Sequence, residues 1–221
     1  MRTCTIDEVK LLSVTIDNQL KLDDHIKNIC KEAGKKINAL ARIAPYLNED
    51  KRKLLMKTFV LTFFNYCPLV WMYCSRKNNK LINNIHERAL RIAYNDFSSN
   101  FEQLLLKDNT VTIHTRNLKQ LATEIYKTIH HENPSFMEEI FSINESPYNL
   151  RGLAFTRNKP KTVAYGLDTI SYRCQEVWNS IPTEITSSPN INIFKANIKN
   201  LSAISCSCRI CKPFIGQVGY I

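Results

Sequence analysis

The sequence predicts a mainly α protein, in which short N-terminal β-strands precede a helical bundle and a smaller, loop-rich helical C-terminal region. Of its 221 residues 44% are hydrophobic, enough to bury a core. After residue 23, apolar residues recur at helical spacing in most segments. The five glycines form neither a Gly-x-Gly motif nor a phosphate-binding loop, which excludes Rossmann and P-loop nucleotide binding.

The first 17 residues predict one or two short strands. Val9, Leu11, Val14 and Ile16 lie close to a turn signal at Asp17-Asn18, and short apolar runs bounded in this way are typical of strands.

A long amphipathic helix is predicted from Asp24. Its apolar positions step by three or four residues and form one narrow stripe: Ile26, Ile29, Ala33, Ile37, Leu40 and Ala44. The adjacent Asp23 and Asp24 could hold Mg²⁺, but their place before a helical run favours a role as N-cap and helix-dipole partner. Lys27, Lys31 and Lys35 recur every four residues along one exposed face. These lysines either bind the phosphates of a nucleic acid or form a solvated side of the helix.

A second helix is predicted from Asn48, because Glu49 and Asp50 would place negative charge at the positive end of its dipole. We expect it to run through Leu54, Leu55, Phe59 and Phe63. Its later part, Phe59–Cys74, is apolar on nearly all sides, which favours a core helix that bends or ends before Pro68 over a membrane span.

The remaining helices follow from the same signals. A third, Asn79–Tyr94, carries a stripe of Leu81, Ile85, Ala89 and Ile92. Capping-box patterns at Ser99 with Glu102 and at Ser135 with Glu138 each predict a short helix. Between them, an apolar stripe predicts a long helix that ends before Asn133; it consists of Leu118, Leu121, Ala122, Ile125 and Ile129. Helices are also predicted at residues 171–179 and 191–201. We interpret Trp178 as a side chain that anchors the core rather than as a platform for base stacking.

Three of the eight cysteines stand together in CSCRICK, at Cys206, Cys208 and Cys211. Thiolates at this spacing can converge on one zinc ion, but a tetrahedral site needs a fourth ligand and none follows in the sequence. The alternative is an inert cysteine-rich tail. We therefore assign no metal site and expect no cofactor.

The charge distribution favours a polyanionic partner. The chain carries a net charge of +10, and residues 25–94 contain 14 Lys and Arg against four acids. The alternative is a solvated basic surface. The paired carboxylates Asp23 and Asp24 favour a role at the start of a helix over catalysis, and the sequence has neither ligand-spaced histidines nor a Gly-x-Ser-x-Gly elbow. The N-terminus lacks a signal-peptide pattern, so we expect an intracellular protein, nuclear or cytoplasmic.

A series of motifs resembles the C-terminal part of jockey-like non-LTR (LINE-type) retrotransposon reverse transcriptases. In order they are VKLLSVTIDNQLKLDDHIKNI, FFNYCPLVWMYC, IHERALRIAY, IHTRNLKQLATEIYK, YNLR, VAYGLDTISYRCQEVWNSIP, FKANIK and CSCRICKPFIGQVGYI, and they span nearly the whole chain. The family performs RNA-directed DNA polymerisation, with metal-binding aspartates on a palm and a helical thumb that grips the template-primer duplex. The chain departs from the family pattern at Ser13, where the family usually has glycine.

The resemblance implies a division of the chain. We expect the end of the palm with primer-grip-like strands at 1–22, a helical thumb-like region at 23–97, a helical connection at 98–141, a basic loop and C-terminal helical region at 142–205, and a Cys-rich tail at 206–221.

We therefore expect a truncated reverse-transcriptase fragment that binds RNA:DNA or duplex nucleic acid without sequence preference. The aromatic-Ala-Asp-Asp motif is absent from these residues, so we expect no catalysis, no small-molecule substrate and no membrane partner. The predicted phosphate contacts are Lys27, Lys31, Lys35, Lys51, Arg52 and Lys53. The alternative is an inert or structural remnant whose apolar faces once packed on the missing palm.

Overall fold

The computed structural model describes residues 7–141, 143–144, 154–155, 162, 166–201 and 204–212. It is mainly α, as the sequence predicts, and divides into two compact units, Met1–His114 and Thr115–Ile221. Most of the predicted basic loop after residue 142 and the end of the predicted Cys-rich tail lie outside the described residues.

The first unit opens with an antiparallel hairpin of β1 (Glu8–Leu11) and β2 (Val14–Asp17), which confirms the predicted strands. Leu11 pairs with Val14, so Leu12 and Ser13 form a two-residue turn, with φ of 45° and 67°. Such a turn needs positive φ at both positions and favours Asn or Gly there. Ser13 therefore occupies a backbone conformation that glycine adopts more easily.

Helix α1 (Asp23–Ile43) agrees with the predicted amphipathic helix and buries Ile26, Ala33, Ile37 and Leu40. Its N-terminus differs from the prediction, because the N-cap is Leu22 and makes no side-chain cap. The Asp17 carboxylate instead accepts hydrogen bonds from the backbone N–H groups of Gln19 (2.9 Å), Lys21 (3.1 Å) and Leu22 (2.6 Å). Asp23 and Asp24 still lie in the first turn, where they favour the dipole.

The second predicted helix is broken into shorter pieces. Helix α2 (Glu49–Leu55) begins next to Asn48, as predicted, and the Asn48 side chain caps it. A wide π-helical turn at Met56–Val60 and a 3₁₀ turn at Leu61–Phe64 follow. The helix does end before Pro68, which starts the short α3 (Pro68–Trp71). The buried side chains in this segment are Met56, Val60 and Phe64. Leu54 and Phe59, two of the apolar residues through which the helix was predicted to run, are exposed.

Helix α4 (Arg76–Tyr94) packs along α1, and α5 (Phe101–Lys107) follows it. The fully buried stripe of α4 runs along Ile82, Ala89, Leu90 and Ala93, and the predicted Leu81, Ile85 and Ile92 are only half-buried at its edge.

Helix α5 is capped one residue later than predicted. Asn100 and Gln103 form the capping box, because the Ser99 hydroxyl donates instead to the Asp96 carboxylate at 2.8 Å.

Helix α6 (Ile113–Ile129) matches the predicted long helix, and its residues from Thr115 onward belong to the second unit. The short α7 (Phe136–Phe141) follows, and β3 (Ile143–Asn144) pairs antiparallel with β4 (Ala154–Phe155). Three helices close the second unit: α8 (Ile170–Asn179), α9 (Thr183–Thr186), which the sequence did not predict, and α10 (Ile191–Asn200).

Aromatic side chains form the core of the second unit. The Phe194 ring on α10 stacks on Tyr126 of α6 at 4.3 Å and on Trp178 of α8 at 6.1 Å, both between ring centroids. The Tyr126 hydroxyl donates to the Ser188 carbonyl at 2.6 Å, so its polar end is satisfied. Trp178 is thus a core anchor, as the sequence predicts.

Candidate functional site

The predicted phosphate-binding lysines of α1 lie on its exposed face. Lys27, Lys31 and Lys35 are all exposed, and the buried stripe of the helix lies on the other side. Lys27 pairs with Asp24 at 2.7 Å and Lys35 with Glu32 at 2.6 Å, each within the helix. Both pairs are largely solvent-exposed, and pairs of that kind contribute little and exchange partners readily. Lys31 has no ion pair among the residues that the structure describes.

The three basic residues of α2 have different environments. Lys51 is exposed, and no described residue forms an ion pair with it. Lys53 pairs with Glu49 at 2.6 Å, and its ammonium group lies 4.5 Å from the centroid of the Tyr94 ring. Of the three, Lys51 is the side chain most available to a ligand.

Arg52 forms hydrogen bonds within the fold. Its Nε donates to the Ala93 carbonyl at 2.9 Å and its Nη1 to the Leu47 carbonyl at 2.6 Å. The guanidinium group thereby joins the start of α2 to the last turn of α4, where backbone carbonyls lack helical partners. These hydrogen bonds explain why position 52 is an arginine without invoking a ligand. A phosphate contact by Arg52 stays a prediction.

The hairpin exposes an apolar surface, which we call the hairpin surface: Val9, Leu11, Leu12 and Tyr66. All four side chains are about half exposed or more. The Tyr66 hydroxyl donates to the Leu12 carbonyl at 2.6 Å, so the hairpin turn and the segment before α3 are in direct contact. Exposed apolar side chains that lie together often mark an interaction surface.

The second unit contains a cluster of cysteines. The sulfur atoms of Cys206, Cys208 and Cys211 all lie within 4.8 Å of one another. Cys208 is buried, Cys206 is half-buried and Cys211 is exposed.

The residues between the cysteines anchor this segment to α8. The Asp168 carboxylate, 1% exposed, accepts from Arg173 Nη2 at 3.0 Å and from Arg209 Nε at 2.7 Å. The Ser207 hydroxyl donates to Glu176 at 2.9 Å and also contacts Arg173. Ser207 and Arg209 alternate with the cysteines, so these bonds fix the backbone that carries the thiols.

Neighbouring thiols in the cluster shift the pKa values of Cys206 and Cys211. Hydrogen bonding with the Cys208 thiol raises the pKa of Cys206 to about 12, and the neighbouring Cys206 and Cys208 raise the pKa of Cys211. The physical cause is that adjacent sulfurs in a partly buried site disfavour negative charge on one another.

No protein family, curated protein or solved structure matches this chain. Among the described residues, no helix is both long enough and apolar enough to cross a membrane.

Proposed function

We propose that this chain is a non-catalytic, nucleic-acid-binding segment of the reverse-transcriptase type, corresponding to the thumb and the regions after it. It binds RNA:DNA or duplex nucleic acid through phosphates, inside the cell, in the nucleus or cytoplasm. The observation that supports this most is the exposed lysine row of α1, Lys27, Lys31 and Lys35, on a segment that carries the excess positive charge of the chain.

The geometry of the row suits a phosphate backbone. An α-helix rises about 1.5 Å per residue, so the row extends about 12 Å along α1. Phosphates of one DNA strand recur about every 3.4 Å along the duplex axis, so the row is long enough to meet about three of them. The partners of Lys27 and Lys35 are exposed carboxylates that a phosphate can replace. Contacts of this kind position a duplex and carry no sequence information.

Binding titrations test the proposal. A fluorescent RNA:DNA hybrid, duplex DNA of the same sequence and each single strand are titrated with the full chain at two salt concentrations. We expect both duplexes to bind, and the affinity to fall steeply as salt rises. No binding at the lower salt concentration, or binding that salt leaves unchanged, would contradict the proposal.

The hairpin surface supports a second candidate function, an interaction module. Leu12 is 77% exposed and Leu11 58%, and exposed apolar side chains that cluster mark interaction surfaces. In this reading the hairpin packs on another protein segment, such as a palm, and the basic face only keeps the chain soluble. The salt-dependent titration separates the two functions, because an apolar contact does not depend on counterion release.

A further inference from the structure

We propose that a cleft in the first unit binds one unpaired nucleotide at the end of a bound duplex, with the base against Phe97 and a phosphate against Arg52. The inference rests on the proposed nucleic-acid binding and adds an unpaired nucleotide to the ligand. The cleft lies where α2 and the ends of α1 and α4 meet, and its volume is about 310 Å³. All of its lining residues belong to the first unit.

The lining of the cleft is mostly apolar. Ala44, Pro45 and Ile92 supply apolar side chains from the ends of α1 and α4. Sites for small ligands are typically apolar with a few polar groups, and they measure about 300 to 1,000 Å³. The cleft lies at the lower end of that range, so it suits a ligand of the size of one nucleobase. A base is flat, apolar on its faces and polar only at its edge, which matches such a lining.

The Phe97 side chain is displayed at the cleft by a loop that hydrogen bonds hold in place. Its side chain is 67% exposed, on the loop between α4 and α5. Arg91 Nη1 donates to the Phe97 carbonyl at 2.7 Å, and the Asp96 carboxylate accepts from the backbone N–H groups of Ser98 at 3.2 Å and Ser99 at 3.0 Å. The backbone that carries the ring is therefore ordered before a ligand binds, which lowers the ordering cost of binding.

Arg52 supplies the cation of the cleft. Its bonds to the Leu47 and Ala93 carbonyls use Nη1 and Nε, and no described residue accepts a hydrogen bond from Nη2. Further N–H groups of the guanidinium are therefore available to a phosphate, which an arginine recognises through parallel N–H donors. The two internal bonds fix the plane of the guanidinium group, so a phosphate meets donors that are already oriented.

The chemistry of the lining requires a base that is not paired. Within a duplex the faces of a base are covered by its neighbours and its pairing edge is occupied, so it cannot stack on a protein side chain. An unpaired terminal nucleotide meets this condition without the cost of opening a pair. Stacking on an aromatic ring accepts every base, and the Asn95 amide, which also lines the cleft, both donates and accepts. We therefore expect little sequence preference.

The test compares duplex ends. The full chain is titrated by fluorescence anisotropy against a blunt-ended duplex DNA and against the same duplex with one unpaired adenosine at its 3′ ends or at its 5′ ends. We expect at least one of the two extended duplexes to bind about tenfold more tightly than the blunt duplex. Blunt-duplex binding with no gain from either extension would overturn this inference alone. Binding to none of the three would overturn the proposed function as well.

Variants of an exposed side chain test the stacking contact. Phe97→Ala should remove the gain from the unpaired nucleotide and leave the affinity for the blunt duplex unchanged, whereas Phe97→Tyr should keep the gain. The matched control is Phe136→Ala, which removes a phenylalanine of the second unit that is 55% exposed and should keep the gain. A full gain in Phe97→Ala would overturn the assignment of the base to this ring.

A second measurement does not depend on a variant. The unpaired nucleotide carries 5-iodouracil, a base that cross-links to aromatic side chains in contact with it on irradiation, and mass spectrometry identifies the cross-linked residue. We expect the cross-link at Phe97 in the wild type. Cross-links at other residues only, or none at a protein concentration that saturates the duplex, would place the nucleotide outside the cleft and overturn the inference.

Discussion

The lysine row of α1 yields a prediction whose size follows from helix geometry. Replacing Lys27, Lys31 and Lys35 together with glutamine removes three positive charges that lie along about 12 Å of helix. Each lost phosphate contact flattens the slope of log K against log salt by about 0.9 for B-DNA, so up to three contacts flatten it by about 2.7. Glutamine keeps the length and helix propensity of the side chain, so α1 is retained.

The assay is fluorescence anisotropy with one duplex DNA over a fourfold range of salt, from about 50 to about 200 mM. Over that range the wild type should lose about 40-fold more affinity than the variant, which is four raised to the power of 2.7. The matched control replaces Lys10, Lys195 and Lys199, three exposed lysines outside the row, and so makes the same change in net charge.

An equal slope in the wild type and the lysine-row variant would refute the reasoning. An equal flattening in the control and in the lysine-row variant would show that net charge alone binds the duplex. Circular dichroism of each variant, expected to overlay on the wild type, confirms that the helices remain.

The other predictions concern stability and titration. Arg52→Gln should lower the free energy of unfolding by about 2 kcal/mol in urea melts, because the Leu47 and Ala93 carbonyls lose a charged donor; no loss of stability would contradict this internal role. Burial, followed by the hydrogen bond to Asp108, raises the pKa of Tyr94 to about 12. An absorbance titration should show one tyrosine that ionises near pH 12, and this step should be missing in Tyr94→Phe. The contribution of Tyr94 to the stability of the fold should be complete below about pH 10 and lost as the pH rises through about 12. Partial burial raises the pKa of Asp17, but the backbone N–H groups that donate to its carboxylate outweigh burial and lower the pKa overall. Asp17 therefore stabilises the fold above the ordinary carboxyl pKa, and this contribution is lost as the pH falls through the lowered pKa of Asp17. Asp17→Asn should lower the free energy of unfolding by about 1 kcal/mol at neutral pH and by little in acid. Ser13→Gly should raise the unfolding midpoint, since glycine adopts the positive φ without strain, and a lower midpoint would argue against a strained turn.

Local signals were sufficient where one segment determines its own structure. The stripe of α1 and the start of α2 at Asn48 were predictable, because periodicity and the charges of a first turn depend on residues a few positions apart. The buried side of the segment after α2 was not predictable, since a π-helical turn changes the direction of every side chain after it.

The candidate sites divide in the same way. The exposure of Lys27, Lys31 and Lys35 followed from their position opposite the apolar stripe. The bond of Arg52 to the distant Ala93 carbonyl did not follow, because it depends on tertiary structure that no local pattern encodes.

The wide turn at Met56–Val60 also bears on how this chain can change in length. A π-helical turn holds one residue more than an α-helical turn, so losing one residue there would leave an α-helical turn with the flanking segments still facing the same way. Losing one residue in the middle of α1 would instead rotate everything beyond it by about 100° and turn Ile37 and Leu40 out of the core. Single-residue deletions should therefore be tolerated at this turn and nowhere within α1.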